Sequence, residues 1–122
     1  MKMADCKGPA GYSCPVEATI DIIGGKWKSV ILFHLIDGKK RFNELRRLIP
    51  KVTQRMLTLQ LRELERDGIV HREIYKQVPP KVEYRLTEFG QTLIPIINQM
   101  MSWGVSHADK IEEARKQSAA AE

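Results

Sequence analysis

Only two cysteines, Cys6 and Cys14, occur among the 122 residues, eight positions apart. They are too few for a disulfide scaffold and wrongly spaced for a Cys-x-x-Cys redox pair or a zinc knuckle, so disulfide-dense and zinc-finger folds are excluded. No apolar run approaches the roughly 18 residues that a membrane span requires. The opening MKMADCKGPAGYSCP has a lysine but no apolar stretch of the signal-peptide kind. The expected compartment is therefore the cytoplasm, with no membrane partner. His34, His71 and His107 fall in three separate stretches without ligand spacing, so neither a metal nor a cofactor is expected. Gly24-Gly25-Lys26-Trp27 lacks the frame of a phosphate loop, and no nucleophile signature such as GxSxG is present. Catalysis has no candidate machinery, and no repeat, linker or second domain interrupts the chain.

What is present is one small domain's worth of core and an uneven charge. Hydrophobic residues make up 43% of the chain and charged residues 29%, enough apolar material for a folded interior. From Lys26 to Arg85 there are 15 basic and 7 acidic residues, a net +8, whereas residues 1–25 sum to −1 and residues 86–122 to −2. A basic middle between mildly acidic ends suits a polyanion, although a solvated charged face reads the same way on charge alone. The patterning decides between them.

Pro15 suits a first helical position with Cys14 as its cap, and Val16, Ile20, Ile22 and Ile23 give an apolar face before Gly24-Gly25 stops the helix. Lys26 to Ile36 repeats Trp27, Val30, Ile31 and His34/Leu35 at helical spacing and ends at Asp37-Gly38; this second helix is expected to be the most buried. After the polar GKKR, Asn43 is the expected N-cap of a two-turn helix with Glu44 in its first turn and Leu45, Leu48 and Ile49 facing inward, until Pro50. Thr53 then caps a fourth helix with the stripe Met56, Leu57, Leu61 and Leu64, terminated at Gly68.

Beyond Gly68 the period changes to two. Val70, Arg72 and Ile74 alternate with His71, Glu73 and Tyr75, and after KQVPPK so do Val82, Tyr84 and Leu86 with their polar neighbours. That is a β-hairpin whose basic tip, stiffened by Pro79-Pro80, cannot donate ladder hydrogen bonds there. Thr87 is expected to cap one long helix through Leu93, Ile96, Ile97, Met100, Met101 and Trp103, bent or begun near Pro95, followed by a helix-prone tail. Helices, a hairpin, then more helix is the order of a winged helix-turn-helix: mainly α with a small β-hairpin wing.

At about 100° per residue, Leu57, Leu61 and Leu64 share one side of the fourth helix, and Arg55, Thr58, Leu59, Arg62 and Arg66 the other. Arginine presents two donors to guanine, threonine bonds a base edge or phosphate, and an exposed leucine meets a thymine methyl. Thr53, Gln54 and Arg55 stand at the N-terminal end, where base contacts usually arise. Arg41, Asn43, Lys51, Lys76 and Lys81 are the expected phosphate or minor-groove contacts. Glu63, Glu65 and Asp67 are expected to pair with neighbouring arginines and hold the far half of the helix off the phosphates.

Four pieces in order, GGKWK, DGKKRFNEL, TQRMLTLQLRELERDGIV and PPKVEYRLTEFG, carry a resemblance to the HxlR-type, MarR-like branch of bacterial winged-helix transcription regulators, covering about residues 14–104. The resemblance implies a lead over residues 1–13, a winged-helix domain with dimerisation helices over 14–106 and a helical tail over 107–122. It implies a homodimer on a palindromic operator of double-stranded DNA, with Thr53 to Asp67 as recognition helix and His71 to Leu86 as wing. Pairing would run through the first helix and the C-terminal helices, with Ile20, Ile23, Leu93, Ile97, Met100, Met101 and Trp103 as candidates, some of which complete the protomer's own core. Members often sense electrophiles or oxidants through a cysteine just ahead of the first helix, the position of Cys14. A thiol there meets the positive end of the helix dipole, which favours the reactive thiolate, while a plain capping cysteine is the bland alternative. Cys6 is the candidate resolving thiol, and no cysteine follows Cys14 to bridge to the far end. Two further readings stand beside the DNA-binding regulator. One is a regulator that takes an apolar small molecule at the dimer interface, near Met100, Met101 and Trp103, and the other is a basic protein-interaction module.

Overall fold

Glycine and proline place the first boundaries where the sequence puts them. The computed structural model describes residues 11–121, so Cys6 lies outside the described residues. Helix α1 spans Pro15–Ile23 with Cys14 at the N-cap, and Gly25 takes a positive φ of 86° in the turn that follows. Helix α2 spans Lys28–Leu35, two residues shorter at its start than expected, because Trp27 is the N-cap. Ile31, Leu32 and Leu35 are its buried apolar residues; Val30, expected inside, is exposed, and Leu32 takes the inward place.

The GKKR segment, read from sequence as a polar connector, contains a strand. Strand β1 (Lys40–Arg41) runs directly into α3 (Phe42–Leu48), so the N-cap is Arg41 and not Asn43. The Arg41 backbone N–H donates to Glu44 Oε1 at 2.9 Å, the reciprocal half of a capping box. Leu45 and Ile49, one helical turn apart, are buried; Leu48 lies off that line and is exposed, and Val52 in the turn is buried with them. Helix α4 (Gln54–Arg66) begins as expected: Thr53 Oγ1 accepts the Met56 N–H at 3.0 Å. Its Leu57, Leu61 and Leu64 are buried, and Gly68, with φ 76°, turns the chain into the hairpin.

Strands β2 (Val70–Tyr75) and β3 (Lys81–Leu86) pair antiparallel from Val70↔Leu86 to Tyr75↔Lys81. With Lys40↔Tyr84 and Arg41↔Glu83 the sheet has the order β1-β3-β2. Alternation reaches the core only at the hairpin base, where Val70 and Leu86 are buried; Ile74 and Val78 are exposed. The expected long helix is two, and the expected helix-prone tail forms a third. Thr87 Oγ1 caps the short α5 (Glu88–Gln91) by accepting the Gly90 N–H at 2.8 Å, and the chain then restarts as α6 (Ile94–Ser106) with Pro95 in its first turn. A proline needs no intrahelical N–H partner there, which is why it opens α6 instead of bending it. The third, α7 (Ala108–Ala121), follows a break at His107, whose ring stacks on Trp103 at 4.7 Å between centroids. Among the described residues, no helix is long and apolar enough to cross a membrane. The architecture is a winged helix-turn-helix: α2, α3 and α4 about one core, a three-stranded wing, and α1 with α6 alongside.

Candidate nucleic-acid interface

Because α4 buries Leu57, Leu61 and Leu64 in the shared core, its opposite side is turned to solvent. Gln54, Arg55, Thr58, Leu59 and Arg62 line one open concavity there. Leu59 is 47% exposed, a large apolar side chain without a place in the protomer's own packing. Thr58 Oγ1 donates to the Gln54 carbonyl at 2.9 Å, which holds the hydroxyl against the helix backbone.

The flanking cations divide into two groups. Arg41, Asn43 and Lys81 come together with Arg47 around a polar cleft between the start of α3 and the wing tip. Lys51 and Lys76 stand apart, in the α3–α4 turn and at the tip, both exposed. Lys81 is less free than its sequence position suggests: its ammonium lies 3.7 Å from Glu83 Oε2 and 4.9 Å from the Tyr75 ring centroid. Glu83 is buried on the outer side of the sheet, where Lys39 also reaches it at 3.4 Å. Burial pushes the Glu83 carboxyl up, but the Tyr75 hydroxyl and the ammoniums of Lys39 and Lys81 together bring it below its ordinary value.

The acidic residues of α4 pair as expected in part. Glu65 meets Arg72 of β2 at 3.3 Å, and Asp67 meets Arg66 at 3.2 Å. Glu63 departs from the expectation: its partner is Lys28 of α2, at 2.8 Å, and this hydrogen bond is the main reason its carboxyl sits below the ordinary value. Arg66, placed on the reading side from sequence, is thus engaged by Asp67, while Arg55 and Arg62 enter no ion pair among the described residues. Sequence reasoning missed Lys28 and Glu83. The signal for Lys28 was available, since it shares the buried stripe of Ile31, Leu32 and Leu35, and a lysine on such a stripe needs an anionic partner.

Of the candidates for subunit pairing, Ile23 and Ile97 are buried in the protomer's own core, and Leu93 is half-buried against it. Ile20, Met100, Met101 and Trp103 are exposed, and Ile96, Met100 and Trp103 succeed one another at helical spacing along α6. Cys14 is half-buried, and its carbonyl accepts the Glu17 N–H at 3.0 Å. Among the described residues no group of His, Cys, Asp and Glu is placed to hold a metal ion.

This arrangement has relatives. The family model described as HxlR-like helix-turn-helix matches residues 22–112. The chain is 72% identical over 106 residues to YdeP of Bacillus subtilis (strain 168), an uncharacterized HTH-type transcriptional regulator, covering 84% of this chain and 83% of that one. Among solved structures, the redox regulator HypR in its reduced form is similar with a TM-score of 0.78 and 70% identity, over 81% of this chain and 98% of that one. The reduced transcriptional regulator YodB from B. subtilis follows the same course with a TM-score of 0.66 and 39% identity, over 75% of this chain and 90% of that one. The chain therefore belongs to the HxlR-like helix-turn-helix family, as a transcriptional regulator of that type.

Proposed function

We propose that this regulator binds double-stranded DNA with sequence preference, as a homodimer on a palindromic site, and that modification of Cys14 changes its occupancy. The observation that carries the reading is the solvent-facing side of α4, where Arg55, Thr58, Leu59 and Arg62 line one concavity on a helix whose other side is buried. Those side chains match base edges in a major groove, and Arg41, Asn43, Lys51, Lys76 and Lys81 supply the phosphate contacts. The exposed apolar run on α6, with Ile20 on α1, supports an isologous contact between two copies.

Enrichment of a duplex from a randomised library, followed by titration at several salt concentrations, tests this directly. The expected result is two chains per duplex, a steep loss of affinity with salt, and a preference of roughly 10³-fold over random sequence. Absence of any enriched duplex would remove the reading and favour a basic module for an acidic protein.

For the thiol, the support is position and likeness. Cys14 occupies the N-cap position of α1, at the positive end of its dipole, and the similar regulators were solved in different forms, HypR as reduced and oxidized, YodB as reduced and diamide-treated. A mild oxidant or a quinone is expected to change the affinity of the native chain for the enriched duplex by about fivefold or more. The Cys14→Ser chain is expected not to respond; an equal response in that variant would dismiss the thiol from the mechanism.

A further inference from the structure

The apolar stripe of α4 sets which side of the helix meets the core, and directional contacts at its flanks narrow the roll that aliphatic packing leaves. Direction comes from the two carboxylates that flank the stripe. Glu63 and Glu65 are two residues apart, about 200° around the helix, so they leave it on nearly opposite sides of the Leu57, Leu61 and Leu64 line. Each is tied to a different body: Glu63 to Lys28 of α2 at 2.8 Å, and Glu65 to Arg72 of β2 in the wing at 3.3 Å.

The two ties are unequal. Arg72 and Glu65 are both well exposed, and such pairs contribute little. The Lys28 side chain is 9% exposed and its helix carries the buried Ile31, Leu32 and Leu35, so its ammonium is a charge fixed to the most deeply packed element. Only the Lys28 end of the pair is buried, and a buried ammonium needs an anionic partner, which ties Glu63 to this geometry.

We propose that Lys28 is a positioning residue for base reading: its ion pair with Glu63 sets the roll of α4, and with it the direction in which Arg55, Thr58, Leu59 and Arg62 face the duplex. The inference rests on the DNA-binding reading above and adds what governs its precision. A roll of about 10° sweeps a side-chain end about 6 Å from the helix axis through about 1 Å. A two-point contact between guanidinium and guanine does not survive a displacement of that size, whereas a contact with a phosphate does. Loss of the pair therefore removes discrimination before it removes attachment.

The test uses the full chain, the duplex enriched by the native protein from a randomised library, and a random duplex of the same length. Lys28→Met is expected to lower the preference for the enriched duplex about tenfold while random-duplex affinity stays within about twofold. Lys28→Arg, which keeps the cation, is expected to retain the preference. A folded Lys28→Met chain with native preference, or one that loses both duplexes equally, would overturn the proposal. Should Lys28→Met fail to fold, Glu63→Gln carries the same expectations, since Glu63 is partly exposed and its amide can hydrate. If the native chain enriches no duplex, the DNA reading itself falls and takes this inference with it; native enrichment with unchanged variants defeats the inference alone.

Discussion

Replacing Gly90 by alanine is expected to destabilise the fold by about 3 kcal/mol or more and to lower the thermal midpoint by about 10 °C or more. A Cβ at that position would lie 2.1 Å from the Ile69 carbonyl oxygen and 3.0 Å from the Ile69 carbonyl carbon. The obstacle is backbone, so no rotamer change relieves it. That same carbonyl accepts the Thr87 N–H at 3.0 Å and the Thr87 hydroxyl at 3.2 Å, which joins the base of the wing to the cap of α5. Moving it apart disturbs both. Gly104 is the control, because a Cβ there meets nothing within 4 Å and the residue lies inside α6. Gly104→Ala is expected to be neutral or to stabilise by up to about 1 kcal/mol. Thermal unfolding followed by circular dichroism decides the matter, and equal midpoints for the two variants would contradict the close approach at Gly90.

On the DNA side, Arg55→Ala is expected to weaken the enriched duplex by about 1 to 3 kcal/mol and to relax the choice of base, with little change on random sequence. Arg55 is exposed in the first turn of α4 and unpaired among the described residues, so its removal leaves no orphaned carboxylate in the protein. The loss is then confined to the contact with DNA. Lys76→Ala is expected to behave differently, weakening all duplexes alike and reducing the salt slope by about one, because an exposed ammonium at the wing tip contacts phosphate without reading sequence. Affinities of both variants on both duplexes at two salt concentrations measure this division. Uniform losses from both substitutions would contradict it.

Most element boundaries were legible because single residues enforce them: Pro15 and Gly24-Gly25 around α1, Thr53 and Gly68 around α4, Pro79-Pro80 at the hairpin tip. The outer side of α4 was legible because a 13-residue helix shows its period plainly. Strand β1 was not, since two residues carry no period and its partner lies some forty positions away on β3. The cap of α3 was misplaced for the same reason, as a strand that feeds a helix leaves no room for a separate capping residue. Helices α5 and α6 merged in the sequence reading because Thr92 and Leu93 interrupt no apolar pattern; the break becomes visible only with Pro95 at a helix start. Lys28 and Glu83 were hidden as charges in a basic region, their burial set by partners on other elements.

The pairing of Lys40 and Arg41 with β3 stitches the entrance of α3 to the strand that descends from the wing tip. A wing anchored on one edge only would swing on its own hinge; this one has a second seam and would drag the helix-turn-helix along. Lengthening the chain at residues 77–80 should therefore leave the fold and the reading side of α4 in place and displace only the tip cations, whereas a single added residue between Asp37 and Phe42 would shift the strand register and throw the two halves of the DNA grip out of step.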